Sequence, residues 1–182
     1  TTTKDILMTL LRSKFNVVST YKNNNNQIGV PLTIFEANDR TDFLILEHGT
    51  NHFGEIKYTA EIAKPDSALI TNIGDSHLEF LNNRKGVLKE KRALLDEADS
   101  KNGIVFINQD DDLLNGIAKD YKNVVSFGTD LSSEFCFEIE EFDNKGRPVI
   151  SCNKFEELVN LPLYGKASAL NFFAAASVAF QV

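Results

Sequence analysis

Tryptophan is absent from the chain, methionine occurs once and cysteine twice, and no apolar run is long enough to suggest a membrane span. A bilayer-spanning helix takes roughly 18 or more apolar residues, so no insertion into a membrane is expected. No secretory leader is legible, and nothing at the start resembles a tag. Cys136 and Cys152 flank the turn-like "DNKG", so a hairpin would bring them near each other. Two cysteines without metal spacing read as reduced, packed thiols, and hence as an intracellular, cytoplasmic protein. Positive charge is also in deficit, with 19 basic against 26 acidic residues and a net charge of −7. That balance argues against a nucleic-acid partner, which would want a basic surface. It does not exclude a phosphate ligand, because a few backbone amides and one metal ion hold such a group locally. The many Asn, Lys and Phe read as a bias of the source, not a functional signal.

What is present is globular. The 182 residues, 42% hydrophobic and 25% charged, suit one domain able to bury a core without disulfides. Apolar Ile6, Leu7, Leu10 and Leu11 recur at helical spacing and predict an amphipathic helix over 4–14. "NVVST" then reads as a strand and "IGVPLTIFEA" as a short helix that tolerates Pro31 near its first turn. "DFLILE" is an apolar strand ending abruptly in Glu47, and "EIKYTAEIA" is a helix stopped by Pro65. "SALITNI" is the next strand, followed by a long helical region to about Asp99. "GIVFINQ" and "NVVSFG" are further strands around the helix "DDLLNGIAKDY". This alternation implies an α/β fold with a mostly parallel sheet flanked by helices. "EFCFEIEEFDNKGRPVISC" alternates apolar and polar residues around a turn and predicts a small antiparallel hairpin. An Ala-rich helix closes the chain without a cap. Both ends read as cut, with the first strand of a doubly wound sheet and any flanking domains expected outside residues 1–182.

In an open parallel sheet, ligands sit beyond the carboxyl ends of the strands. Three places qualify. Thr1, Thr2 and Thr3 open a helix, whose free amides and positive dipole end suit the back half of a phosphate loop, G-x-x-x-x-G-K-[ST]. A simple helix cap in a run of threonines explains the same residues. Glu47 ends an apolar strand, where its carboxylate would suit a hard cation such as Mg2+, or would merely begin a loop. His48 and His52 flank Asn51 on a loop and make no zinc signature. Asp75 and His77 follow the strand "SALITNI", as possible site groups or as a cap and a surface residue.

Lys91 is the most informative side chain. Its helical neighbours Val87, Leu88, Leu94 and Leu95 are all apolar, whereas Lys89 faces Lys85 and Arg92. Desolvation and nearby positive charge push such an amine toward neutrality. A neutral amine reacts with carbon dioxide to give a carbamate, a carboxylate-like metal ligand. The alternative is a lysine that extends its head to solvent along an apolar face.

Together these pieces resemble the Mur ligase family. "TTTK" is similar to the end of its G-K-T-T-T-K phosphate loop, and "NNNNQIGVPLT" to N-x-N-N-x-I-G-V-P-L-T. "EHGTNHFGEI" resembles E-M-G-A-N-H-x-G-E-I, "ITNIGDSHLEFL" resembles I-T-N-I-G-x-A-H-L-E-x-F, and "GVLKEKRAL" matches the lysine-bearing helix. The resemblance runs from Thr1 to Val182 and implies a P-loop-type central ATP-binding domain. The IGVPLT and ANH-type signatures point to the branch that adds D-alanyl-D-alanine to UDP-N-acetylmuramoyl-tripeptide. Other branches add alanine, glutamate, a diamino acid or folate glutamates. The implied reaction proceeds through an acyl phosphate in a monomeric enzyme. By this resemblance Thr1, Glu47, His77 and a carbamoylated Lys91 hold Mg2+, and Thr1, Thr2 and Thr3 lie at the ATP phosphates. Asn25, Asn26, Asn51 and His52 fall near the phosphates and reacting substrate, and Asn171 near the nucleotide. The sequence departs from the family at Lys22, at Thr50 for a small alanine, and at Ala167 and Ser168 for a His-Asn pair. A non-catalytic nucleotide-binding module of the same fold, or a folate-type ligase, is the rival reading.

Overall fold

The three central residues of the strand Ile104–Asn108 alternate between two buried surfaces, Phe106 on one face and Val105 and Ile107 on the other. Only a central strand covered on both sides has that pattern. In the computed structural model, which describes residues 1–75 and 78–182, the chain runs as α1 (Thr2–Leu11), β1 (Val17–Ser19), α2 (Gly29–Glu36), β2 (Phe43–Ile45) and α3 (Glu55–Ala63). It continues as β3 (Ser67–Ile70), α4 (Leu78–Leu81), α5 (Arg84–Ser100), β4 (Ile104–Asn108), α6 (Asp112–Ile117) and β5 (Val124–Gly128). The last elements are β6 (Phe135–Phe142), β7 (Pro148–Cys152), β8 (Val159–Asn160) and α7 (Gly165–Ala179).

The strands form two sheets. β1 and β2 pair in parallel; β3, β4, β5 and β6 form a parallel run that continues through antiparallel β7 and β8. The predicted antiparallel hairpin is present as β6 and β7, and it continues the larger sheet. α5 and α6 cover one face, packing Val87, Leu95, Ala98 and Leu114 on Ala68, Ile70, Val105 and Ile107. α7 covers the other with Ala169, Phe173, Ala174 and Ala176 over Phe127, Phe137 and Ile150. Its Ala175 turns instead toward Leu7, Leu11 and Val17, so small alanines let α7 pack against both α1 and the sheet. Among the described residues no helix is long and apolar enough to cross a membrane.

One local expectation is refined. The region expected to be one long helix after β3 breaks at Asn82, whose φ is +66°. Asn83 then caps α5, its side-chain oxygen accepting from the Gly86 N–H at 3.1 Å. The two cysteines remain free thiols. Phe137 stands opposite Cys152 in the ladder, which puts Cys136 on the other face of the hairpin.

Candidate nucleotide and metal site

The two sheets share no strand pairing, and a cavity of about 730 Å3 lies between them. It is lined on one side by Phe43–His48 and on the other by Ser67–Thr71. Thr1, Thr3, Glu47, Lys91 and Asn171 all line this cavity. Chain segments from four separate elements thus bring the threonine run, the strand-end glutamate and the helical lysine to one space.

Glu47 is the hub. Its Oε1 accepts from the Thr1 hydroxyl and from Asn25 Nδ2, each at 3.0 Å. Its own N–H donates to the Thr20 hydroxyl at 2.9 Å, which fixes where strand β2 ends. Oε2 is buried and accepts no hydrogen bond, although the Thr1 amino nitrogen lies 3.4 Å away. Native structures rarely leave a buried carboxylate oxygen unpartnered. Asn25 is itself held: its carbonyl accepts from the Gly49 N–H at 2.7 Å, and a side chain at Gly49 would collide with the Asn25 amide. Hence the glycine after His48 is a packing requirement of the site.

Lys91 is half-buried, and its Nζ donates to the Asn72 carbonyl at 3.2 Å, just beyond β3. Burial lowers its pKa, opposed by the charge of Asp111. The apolar neighbours read from the sequence are real, with Val87 and Leu95 fully buried and Leu88 and Leu94 partly so. Thr3 donates to Asn171 Oδ1 at 2.9 Å, tying α1 to α7. Thr2 is exposed and lines no described cavity.

Of the remaining predicted residues, Asn25 touches this hub through Glu47, whereas Asn26, Asn51 and His52 do not line the large cavity. Asn25, Asn26 and Asn51 line a second, smaller cavity of about 170 Å3 with Thr50 and Glu55. Asn26 caps α2, its Oδ1 accepting from the N–H groups of Ile28 and Gly29 at 3.0 and 2.9 Å. His52 is exposed, its ring 4.5 Å from that of Phe80 and its Nδ1 3.5 Å from Glu55. The Asn51 N–H, and less strongly that of His52, hold the Glu55 carboxyl below the ordinary carboxylate value. His77 lies outside the described residues.

Three groups have roles that the sequence reading did not assign. His48 packs toward α3, shares a hydrogen bond with the Thr59 hydroxyl at 2.8 Å, and is pushed down to about 4 by burial. It is therefore neutral at pH 7. The Lys4 ammonium is buried and donates to the carbonyls of Thr20 and Lys22, pinning the asparagine-rich loop to α1. Glu90, beside Lys91, is also buried. A lysine and a glutamate inside otherwise amphipathic helices carry no sequence signal for such roles.

Among the described residues no three His, Cys, Asp or Glu side chains converge on a metal position. The donors that do converge are oxygens of a hydroxyl and a carboxylate, with an amine of lowered pKa on the same cavity. Hard divalent cations favour that chemistry, and the Oε2 of Glu47, buried without a hydrogen bond, suits a ligand atom. The residues thus fit a Mg2+ ion through Thr1 and Glu47, and Lys91 lines the same cavity.

The fold and this cavity define an open α/β domain with a cleft where strand ends meet a helix start. The chain matches the Mur ligase middle domain over residues 1–179, and it belongs to that family. It is 30% identical over 175 residues to the UDP-N-acetylmuramoyl-tripeptide--D-alanyl-D-alanine ligase of Bacillus subtilis, covering 96% of this chain and 37% of the relative. The enzyme of the same name from Buchnera aphidicola subsp. Baizongia pistaciae is 33% identical over 185 residues, covering 100% and 40%. A crystal structure of MurF from Acinetobacter baumannii superimposes with a TM-score of 0.88 at 30% identity, covering 100% of this chain and 41% of that one. A MurF ligase from Thermotoga maritima in complex with ADP gives 0.86 at 28% identity, covering 99% and 42%. The chain therefore spans about two-fifths of the length of these relatives.

Proposed function

We propose that this chain is the nucleotide-binding middle portion of a cytoplasmic ligase that joins D-alanyl-D-alanine to UDP-N-acetylmuramoyl-tripeptide at the expense of ATP. The observation that carries the reading is Glu47: one carboxylate oxygen is shared by Thr1 and Asn25, and the other is buried without a hydrogen bond. The names of the relatives and the ADP complex of one of them support the substrates and the nucleotide.

In this reading the tripeptide carboxylate attacks the γ-phosphorus of ATP and releases ADP, leaving an acyl phosphate. The dipeptide amine then attacks the acyl carbon, and inorganic phosphate leaves. Transfer between anions needs charge neutralisation and alignment more than a protein nucleophile. Mg2+ would supply Lewis-acid charge at the phosphates. Thr1 and Glu47 would hold that ion, and His77 and a carbamoylated Lys91 would be the further ligands. The helix start at Thr2 and Thr3 faces the phosphates. Asn25, Asn26, Asn51 and His52 orient the phosphates and the reacting carboxylate, and Asn171 positions α7 beside the nucleotide.

Phosphate release from ATP by the full-length protein tests this reading. The expected result is turnover only when tripeptide and dipeptide are both present, raised by bicarbonate. Tight ATP binding without phosphate release in the presence of both substrates would instead favour a non-catalytic module.

A further inference from the structure

Helix α3 begins without a cap of its own. Gly54 occupies the N-cap position at φ +93° and brings no side chain to the exposed N–H groups. The cap arrives from 36 residues away. Glu90, only 4% exposed, reaches from α5 so that its Oε2 accepts from the Gly54 N–H at 2.7 Å. Its Oε1 accepts from the Ile56 N–H at 2.8 Å and from the Thr50 hydroxyl at 3.2 Å. Among the described residues no lysine, arginine or histidine forms an ion pair with it. Its charge is held by backbone dipoles and one hydroxyl.

A second carboxylate grips the same loop from the other side. Glu55 Oε2 accepts from the N–H groups of Asn51 and His52 at 2.6 and 3.1 Å, and from Thr50 at 3.3 Å. The Thr50 hydroxyl, at a position where the family has a small alanine, has one proton to give among the His52 carbonyl at 2.9 Å, Glu90 Oε1 and Glu55 Oε2, so it lies between the two carboxylates and within the loop they hold. An interior apolar contact would serve stability as well as a buried carboxylate does, since removing a charge from water is costly. What the carboxylate adds is position. Successive helical residues point about 100° apart, so Glu90 faces the loop while Lys91 faces the large cavity.

We infer that Glu90 is a positioning residue: with Thr50, it fixes the Thr50–Gly54 loop, and so Asn51 and His52, at a set distance from Lys91 on the same helix. This rests on the ligase reading for the importance of Asn51 and His52.

The test uses the full-length protein and Glu90→Gln, whose amide leaves one acceptor oxygen for three donors. Misplacing a substrate-facing group lowers kcat more than it weakens nucleotide binding, here by about tenfold with KM for ATP within about twofold. Amide exchange should accelerate at Asn51, His52, Gly54 and Ile56 but not at Leu95. Thr50→Ala, which removes one donor and leaves the fold intact, should lower kcat by about two- to threefold and carries the test if Glu90→Gln does not fold. Unchanged kcat in a folded variant, or faster exchange spread equally over α5, would overturn the inference. If the parent protein shows no ligase turnover, the ligase reading fails, and exchange at Asn51 and His52 still decides whether Glu90 holds the loop.

Discussion

The two sides of the large cavity are built on different principles. On the β3–β8 side, strand residues are buried on alternating faces, and Phe137 stacks on Phe173 with centroids 4.4 Å apart and planes 9° apart. On the β1–β2 side, the strands are three residues long and mostly half-exposed, and Glu47 is fixed by a hydrogen bond it donates to Thr20 and one it accepts from Asn25. Packing holds the first side in place; polar contacts hold the second. Stability and the proposed chemistry should therefore respond to different substitutions.

The largest effect is expected from Phe137→Ala. It removes a buried ring that also meets Phe135 and Phe155, and should cost about 3–5 kcal/mol in denaturant unfolding. Nucleotide affinity of the folded fraction should stay unchanged. A loss below about 1 kcal/mol would erase the contrast between the two sides.

His48 sharpens it through pH. Its folded pKa of about 4 lies below the ordinary 6.5, so the unfolded chain binds the proton more readily. Its contribution is complete above 6.5 and is lost as pH falls toward 4, by about 3 kcal/mol at most. Unfolding free energies of the metal-free protein and of His48→Met, compared between pH 7 and about 4.5, should show the steeper loss in the parent. Equal slopes would mean that the imidazole is not desolvated.

Glu47→Gln should act the other way, on turnover and not on folding. Phosphate release by the full-length protein should fall about 100-fold, equivalent to about 2.7 kcal/mol. Its unfolding free energy should move by less than about 1 kcal/mol. The smallest effect belongs to Asn83→Ala, which removes the α5 cap and should cost about 1 kcal/mol, seen as a lower Tm.

Most elements were legible in the sequence because their burial follows a period. "GIVFINQ" could only be a doubly covered strand, and the alternating "EFCFEIEEF" could only be half-exposed. The two-residue β8 and the joining of β6 to β5 rest on pairings only two residues long, too short to leave an alternation in the sequence. Glu47 and Lys91 stood out because each interrupts an apolar pattern. Glu90 and His48 did not, because their roles come from partners on other elements. Asn26 shows the converse: a residue singled out for a ligand also serves as a helix cap.

Anomalous diffraction from crystals of the full-length protein, grown with Mn2+ and a non-hydrolysable ATP analogue, tests the shared mouth most directly. The expected peak lies about 2.1 Å from oxygens of Thr1 and Glu47, with added density on Lys91 facing it. A metal bound to the triphosphate away from Glu47, with Lys91 turned out of the cavity, would contradict the assignment.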